Sequence, residues 1–182
     1  GNIEVQVDVN EFRKLIEKEK KEKREEDKLH LWMQAWKIYK GEFLPDMIGE
    51  QWVAVENVRC RDEYFRVTEE LCRWLKGHER YEDLHKVAHR AAEIYPFDEW
   101  QIDSLIGMSR YKEGLEVYQN TEKLLFDEMG VAPSERLLKR FKLMGERTSQ
   151  AAGALSDIKE RLREKEAAVG AYFCPFPSFV DI

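Results

Sequence analysis

Hydrophobic residues recur along most of this chain every three or four positions, which is the spacing of amphipathic helices. Typical stripes are Phe12, Leu15 and Ile16, and then Trp32 and Trp36. The pattern predicts seven helices, which begin near Asp8 and Leu29 and then cover 51–76, 80–95, 98–111, 113–129 and a stretch after Ser134.

The N-terminal residues show a different pattern. Apolar and polar residues alternate from Ile3 to Asp8, which predicts a β-strand. Asp8 is then an N-cap, with Glu11 completing a capping box three residues later. Because no partner strand follows, we interpret 1–8 as a strand or linker trailing from a missing N-terminal domain.

Helix ends are marked by residues with special backbone properties. Glycines follow the second, third and sixth predicted helices: Gly41 suits a left-handed C-terminal position, and Gly130 ends the sixth helix. Gly77 ends the third helix, and the fourth stops before Pro96 because the residue preceding proline disfavours helix.

Two later helices have predicted N-terminal caps. Asp98 caps the fifth helix, and Gln101 completes its capping box. Phe97 and Ile102 have the spacing of a hydrophobic staple, and Ser134 is the expected N-cap of the seventh helix.

A weak repeat relates two helix pairs. The residues 80–84 (RYEDL) resemble 110–114 (RYKEG), thirty residues later, and each segment opens the second helix of a pair. Paired helices at this period are typical of tetratricopeptide-like arrays. The fold class predicted is all-α: an antiparallel tetratricopeptide-like array over residues 9–150, with a C-terminal extension helix.

From Phe141 onward the spacing alternates between three and four residues, as in a coiled coil. Two interpretations remain open: a helix that caps the array, or a coiled-coil linker between two protomers, with 151–170 as linker. The candidate dimer or linker residues are Phe141, Met144, Leu155, Ile158 and Leu162. Residues 171–182 carry two prolines and four aromatic residues, and we expect them to lead into a further domain.

Composition argues for a globular protein that does not itself bind DNA. Hydrophobic residues make up 43% and charged residues 36%, the net charge is −6 and the pI is about 5.4. A DNA-binding domain usually shows a basic face and a pI above about 9. The charged run from Glu17 to Lys28 has balanced signs, so it predicts a solvated helix end with Glu19 and Lys23 paired.

No pattern in the chain predicts catalysis, a cofactor or a metal site. The phosphate-binding, dinucleotide-binding and serine-hydrolase motifs are missing from the sequence. His85 and His89 have the spacing of metal ligands but lack the glutamate of a zinc-protease motif, so we expect packing roles. Cys60 and Cys72 are expected to be core thiols and, with Cys174, free thiols of a cytoplasmic protein.

The order of several short motifs resembles the bacterial transcriptional activator domain, the helical module that follows the winged-helix DNA-binding domain in SARP-type regulators (Streptomyces antibiotic regulatory proteins). The resemblance covers roughly 5–145, and its most specific elements are GEFLPD at 41–46 and GVAPS at 130–134. The matching residues are Asp8, Phe12, Gly41, Phe43, Leu44, Pro45, Trp52, Pro96, Asp98, Arg110, Tyr111, Tyr118, Gly130 and Pro133.

This resemblance implies a tetratricopeptide-like bundle that supports dimerisation and controls activation by a DNA-binding domain. The expected partners are therefore the DNA-binding domain of the same full-length protein and a second protomer. Neither a membrane nor direct DNA binding by this chain is expected, and a small effector remains an open possibility. The alternative is a stand-alone scaffold that binds peptides in a helical groove.

Overall fold

In the computed structural model the chain is an array of antiparallel α-helices. The backbone is described for residues 2–41, 51–94 and 98–172, and the side chains for 9–41, 51–94, 98–164 and 167. The helices are α1 (Asn2–Lys21), α2 (Glu25–Ile38), α3 (Gln51–Gly77), α4 (Tyr81–Ala92), α5 (Asp98–Gly107), α6 (Tyr111–Leu124) and α7 (Glu135–Tyr172). These residues include no strand, which confirms the all-α prediction.

The helices form two layers. Each helix packs against the next one in the chain, so consecutive helices form antiparallel hairpins. The odd-numbered helices also contact one another in the order α1, α3, α5, α7, and so they share one layer. The even-numbered helices α2, α4 and α6 form the other layer, as expected for a tetratricopeptide-like array.

The predicted N-terminal strand is wrong. Residues Asn2–Lys21 form one helix, and Asp8 lies in its interior, so it is not an N-cap. A strand needs a neighbouring strand to satisfy its N–H and C=O groups, whereas a helix satisfies them within the same segment. The described residues contain no strand that could pair with this segment, so the segment forms a helix despite its alternating pattern.

The two repeat turns have the same backbone geometry. The Arg80 N–H donates to the Leu75 carbonyl at 2.9 Å, and the Arg110 N–H donates to the Leu105 carbonyl at 2.8 Å. Both are the long-range bond of a Schellman motif, which satisfies a terminal carbonyl of the preceding helix. The thirty-residue repeat predicted from the sequence is therefore a repeat of structure.

The residues that reverse the chain are partly different from those predicted. α3 ends at Gly77 as predicted, but the left-handed residues of the two turns are Glu79 (φ 56°) and Ser109 (φ 59°). Gly130 follows the π-helical segment Leu125–Met129 that continues α6, so it ends this helical stretch as predicted, and its φ of 63° is left-handed.

The prediction that Gly41 ends the second helix is wrong. α2 already stops at Ile38, and Tyr39 is extended. The Tyr39 ring is buried against Phe12 (centroids 5.6 Å apart) and stacks on Tyr64 (4.4 Å). The extended backbone carries this ring into the core, so packing ends the helix before Gly41, which has φ 117°.

Two other caps have different outcomes. The Ser134 hydroxyl accepts the Leu137 N–H at 3.2 Å, which confirms the predicted cap of α7. At α5, Gln101 Nε2 lies 3.1 Å from His89 Nδ1 on α4, and the predicted capping box stays a prediction. Phe97, the other half of the staple, lies outside the described residues.

The core has two parts. The larger one joins α1 to α4 and contains the Phe12, Tyr39 and Tyr64 rings. The smaller one joins α5, α6 and α7 around Ile102, Tyr118, Leu137 and Met144. By contrast, three large apolar residues of α3 are exposed: Trp52, Val55 and Val58.

The two hairpins touch at a glycine. A Cβ on Gly107 would overlap the Tyr81 ring, which opens the second helix of the preceding repeat. At Gly77, the equivalent residue one repeat earlier, a Cβ would meet no neighbouring group within 4 Å. Gly107 is therefore required by packing between repeats, whereas Gly77 is not.

We expect Gly107→Ala to destabilise the protein by about 1–3 kcal/mol, because the added methyl group must displace an aromatic ring. Gly77→Ala should leave stability unchanged or raise it by up to about 1 kcal/mol, because alanine favours helix. Urea unfolding followed by circular dichroism measures both free energies. Equal effects of the two variants would refute the proposed contact.

Candidate interaction surfaces

A buried carboxylate joins three helices of the odd-numbered layer. Asp103 on α5 accepts hydrogen bonds from Arg140 on α7, at 2.6 Å from Nε and 2.9 Å from Nη2. Lys76 at the end of α3 donates to the same carboxylate at 2.8 Å. Only 9% of the Asp103 side chain and 16% of the Arg140 side chain are exposed. This geometry fixes the position of α7 on the array.

The charges of Arg140 and Lys76 decide the protonation state of the Asp103 carboxylate. Burial raises the pKa of Asp103, but the hydrogen bonds and charges of Arg140 and Lys76 outweigh burial and hold the pKa below its ordinary value. Arg140 also lies 3.3 Å from Glu99, which extends the ion pairing along α5. Asp103 is therefore ionised near neutral pH, and both cations are engaged.

A second buried carboxylate joins α1, α2 and α3. Glu19 accepts a hydrogen bond from Trp32 Nε1 at 3.0 Å and from Arg66 Nη2 at 2.6 Å. Burial raises the pKa of Glu19, but the bonds from Arg66 and Trp32 dominate and lower it. The prediction that this charged run is solvated is therefore wrong at Glu19, which is 5% exposed. Its predicted partner Lys23 lies beyond the end of α1.

Sequence reasoning missed Glu19, although a signal was present. Glu19 follows Phe12 and Ile16 at spacings of seven and three residues, so it lies on the apolar stripe of α1. A charged residue at a core position indicates a buried partner. Arg66, the partner, is 47 residues away in the chain and could be identified only from the fold.

The helix α7 has two dissimilar halves. In its first half Met144 is fully buried against Gly114, and the Phe141 ring stacks on Tyr118 with centroids 4.7 Å apart. From 149 to 164 every side chain is exposed. This second half includes the apolar residues Leu155 (58% exposed), Ile158 (52%) and Leu162 (54%). The first half caps the array, and the second half leaves it.

The family-signature residues lie at several separate places. Phe12 and Tyr118 are buried in the two core clusters, whereas Trp52 is exposed. Arg110 and Tyr111 open α6, Gly41 and Gly130 have positive φ, and Asp98 begins α5. Pro133 is half-buried before α7, and the remaining members lie outside the described residues or side chains: Asp8, Phe43, Leu44, Pro45 and Pro96.

The histidines and cysteines considered as metal ligands or nucleophiles contact other residues of the fold or are buried in it. The His85 and His89 rings stack with centroids 5.9 Å apart, and His85 Nδ1 lies 3.1 Å from the Ser104 hydroxyl. Burial, helped by the Arg110 charge, lowers the pKa of His85. Burial raises the pKa of the Cys60 thiol to about 11 and that of Cys72 to about 12, so both thiols stay protonated. Cys174 lies outside the described residues.

Two general features hold for the described residues. They contain no group of three or more His, Cys, Asp or Glu side chains that could hold a metal ion. In the same part of the chain, every helix is too short or too polar to cross a lipid bilayer.

A cleft of about 380 Å³ lies on the odd-numbered layer between α3, α5 and α7. The cations that line it are Lys76, Arg136, Lys139 and Arg140. Each of them is within 4 Å of a carboxylate on Asp103, Glu99 or Glu135. Each cation of this cleft therefore has a carboxylate neighbour within the chain.

Comparison with known proteins yields one result. The model of the family described as bacterial transcriptional activator domain matches residues 7–143, from α1 into the first half of α7. This span agrees with the resemblance over 5–145 noted in the sequence. Comparisons with curated proteins and with solved structures find no significant match.

We expect Arg140→Leu to destabilise the protein by about 2–4 kcal/mol, because the variant leaves the buried Asp103 carboxylate short of its main partner. The double variant Asp103→Leu/Arg140→Leu should recover part of this loss. Arg147→Leu, on the exposed surface of the same helix, is the matched control. Urea unfolding measures all three, and an equal loss in Arg140→Leu and Arg147→Leu would contradict the anchoring role.

Acid should weaken the same site. Because the folded-state pKa of Asp103 is below its ordinary value of 3.8, its contribution is fully present above that value and is lost as the pH falls through the lower, folded-state pKa. The stability difference between the wild type and Asp103→Asn should therefore shrink below about pH 4. Unfolding at a series of pH values checks this, with Asp157→Asn on exposed α7 as control. A difference independent of pH would contradict it.

Proposed function

Since the chain belongs to the bacterial transcriptional activator domain family, we propose that it is a non-catalytic regulatory module that relays a signal through α7. The relay connects a DNA-binding domain of the same full-length protein with a second protomer. The family membership supports a regulatory role of the transcriptional-activator type, and the geometry of α7 supports the manner of the relay.

The first support is the firm anchoring of α7. The Asp103–Arg140 ion pair and the burial of Met144 hold its first half against α5 and α6. A helix held at both a charged and an apolar contact moves together with the array. A displacement of the array is therefore transmitted to the far end of α7.

The second support is the length of α7 beyond the array. α7 extends to Tyr172, and at 1.5 Å per residue the part after Thr148 is about 35 Å long. Most of the stability of helices in proteins comes from packing an apolar face. A partner that covers the exposed half of α7 would therefore stabilise it.

The exposed stripe is the observation that carries the proposal. Leu155, Ile158 and Leu162 follow one another at spacings of three and four residues, and each is more than half exposed. Such a stripe suits knobs-into-holes packing against an identical helix. We infer that a second copy of this chain covers it, so that α7 links two arrays. The net charge of −6 is consistent with DNA contacts made by another domain.

The test is the solution mass by light scattering. We expect the wild-type chain to be a dimer, and a chain ending at Gln150 to be a monomer. Leu155→Glu/Leu162→Glu should also be monomeric, because four charges would face one another in the dimer seam.

The matched control is Ser149→Glu/Ser156→Glu, which adds the same charge elsewhere on exposed α7 and should remain dimeric. A monomeric wild-type chain would overturn the proposal that α7 joins two protomers. A dimer that survives both the truncation and the leucine substitutions would place the protomer contact elsewhere and also overturn it.

A further inference from the structure

The exposed apolar stripe of α7 lies on the same side of the helix as the residue that anchors it. Met144, which is fully buried against Gly114 of α6, defines this side. At about 100° per residue, Leu155 and Leu162 lie within about 20° of Met144 around the helix axis. Ile158 lies about 40° from it. The stripe therefore continues the face that packs on the array, but beyond the point at which the array ends.

The array fills the space in front of this face along the first half of α7. The helices α5 and α6 both pack on α7, and Phe141 stacks on Tyr118 of α6 with ring centroids 4.7 Å apart. From 149 to 164, by contrast, every side chain is exposed. A second helix that packs on the stripe therefore has no room to continue along the first half of α7, where α5 and α6 already lie.

This arrangement excludes a parallel pair of α7 helices. In a symmetric pair, the same face of each helix points to the partner. If the two helices ran in the same direction, the first half of the partner's α7 would occupy the position of α5 and α6. Interiors packed as densely as crystals leave no space for such an overlap. The heptad pattern itself does not distinguish the two directions, so the position of the array decides between them.

An antiparallel pair avoids the overlap if the two helices meet only along their free parts. The described side chains after Thr148 are all exposed, and α7 ends at Tyr172. If Thr148 lies at the same height along the pair as the partner's Tyr172, each helix ends where the array of the other begins. The twofold axis then passes beside Glu160, and Ile158 is level with the partner's Leu162. Large apolar side chains of both stripes thus meet at the centre.

We propose that two copies of this chain pair antiparallel through 149–172 of α7, so that each helix ends at the array of its partner. The proposal rests on the function proposed above and specifies the direction and register of the same contact. Ile158 and Leu162 form the centre of the pair, and Leu155 borders it. The two Met144 residues are then about 48 Å apart along the helix axis. A displacement of one array therefore reaches the other only along α7.

The test measures distances between the two protomers by double electron–electron resonance on the full chain. Nitroxide labels are attached to Glu146→Cys or to Glu160→Cys, two exposed positions that are two heptads apart on the outer side of α7. Each is made in a Cys174→Ser background, and the native Cys60 and Cys72 are buried.

The antiparallel pair predicts different distances at the two labelled positions. The two Glu146 positions are about 42 Å apart along the helix axis, whereas the two Glu160 positions are level. We therefore expect the label-to-label distance at Glu146 to be longer by at least about 15 Å. In a dimer, equal distances at both positions would overturn the antiparallel direction but leave the proposed α7 contact standing. The absence of any signal between protomers would overturn both.

The charges beside the twofold axis provide a second test. Lys159 and Arg161 flank the stripe and lie one residue to either side of Glu160, so each faces the same residue of the partner. Lys159→Gln/Arg161→Gln should tighten the dimer about two- to fivefold, because two pairs of like charges are removed. Lys142→Gln/Arg163→Gln, the matched control on the outer side of α7, should leave the dissociation constant unchanged. Sedimentation equilibrium measures both constants, and equal values would contradict this register.

Discussion

The hydrogen-bonded ion pairs of Lys76 and Arg140 with the buried Asp103 carboxylate are the interaction on which the odd-numbered layer depends. It joins α3, α5 and α7 at one point, and its bidentate geometry sets both the distance and the orientation of α7. The Glu19–Arg66 pair does the same for α1 and α3. Successive odd-numbered helices are thus connected by carboxylates that would be costly to bury alone, which makes their relative positions specific.

The repeated turns help to position the helices that carry these ion pairs. The two Schellman turns reverse the chain with the same hydrogen bonds, so both hairpins have the same turn geometry. The close contact between Gly107 and Tyr81 then sets the spacing of one hairpin on the next. The relay that we propose for α7 depends on this packing, because a helix can transmit a displacement only if its attached end stays fixed on the array.

In the odd-numbered layer, ion pairs help to hold the helices together. Each cation that lines the cleft between α3, α5 and α7 lies within 4 Å of a carboxylate of the chain.

Local patterns in the sequence determined the helices, the Ser134 cap, the helix end at Gly130 and the thirty-residue repeat, because these features depend on neighbouring residues and on backbone conformation. The tertiary structure decided what depends on distant partners. Residues Ile3–Asp8 form a helix despite their alternating pattern, because the described residues offer no strand to pair with them. The burial of Tyr39 between Phe12 and Tyr64 ends α2 before Gly41. Glu19 became a core residue because the fold brings Arg66 to it from 47 positions away. The heptad spacing of α7 is continuous in sequence, yet only its first half meets the array, because the array ends before the helix does.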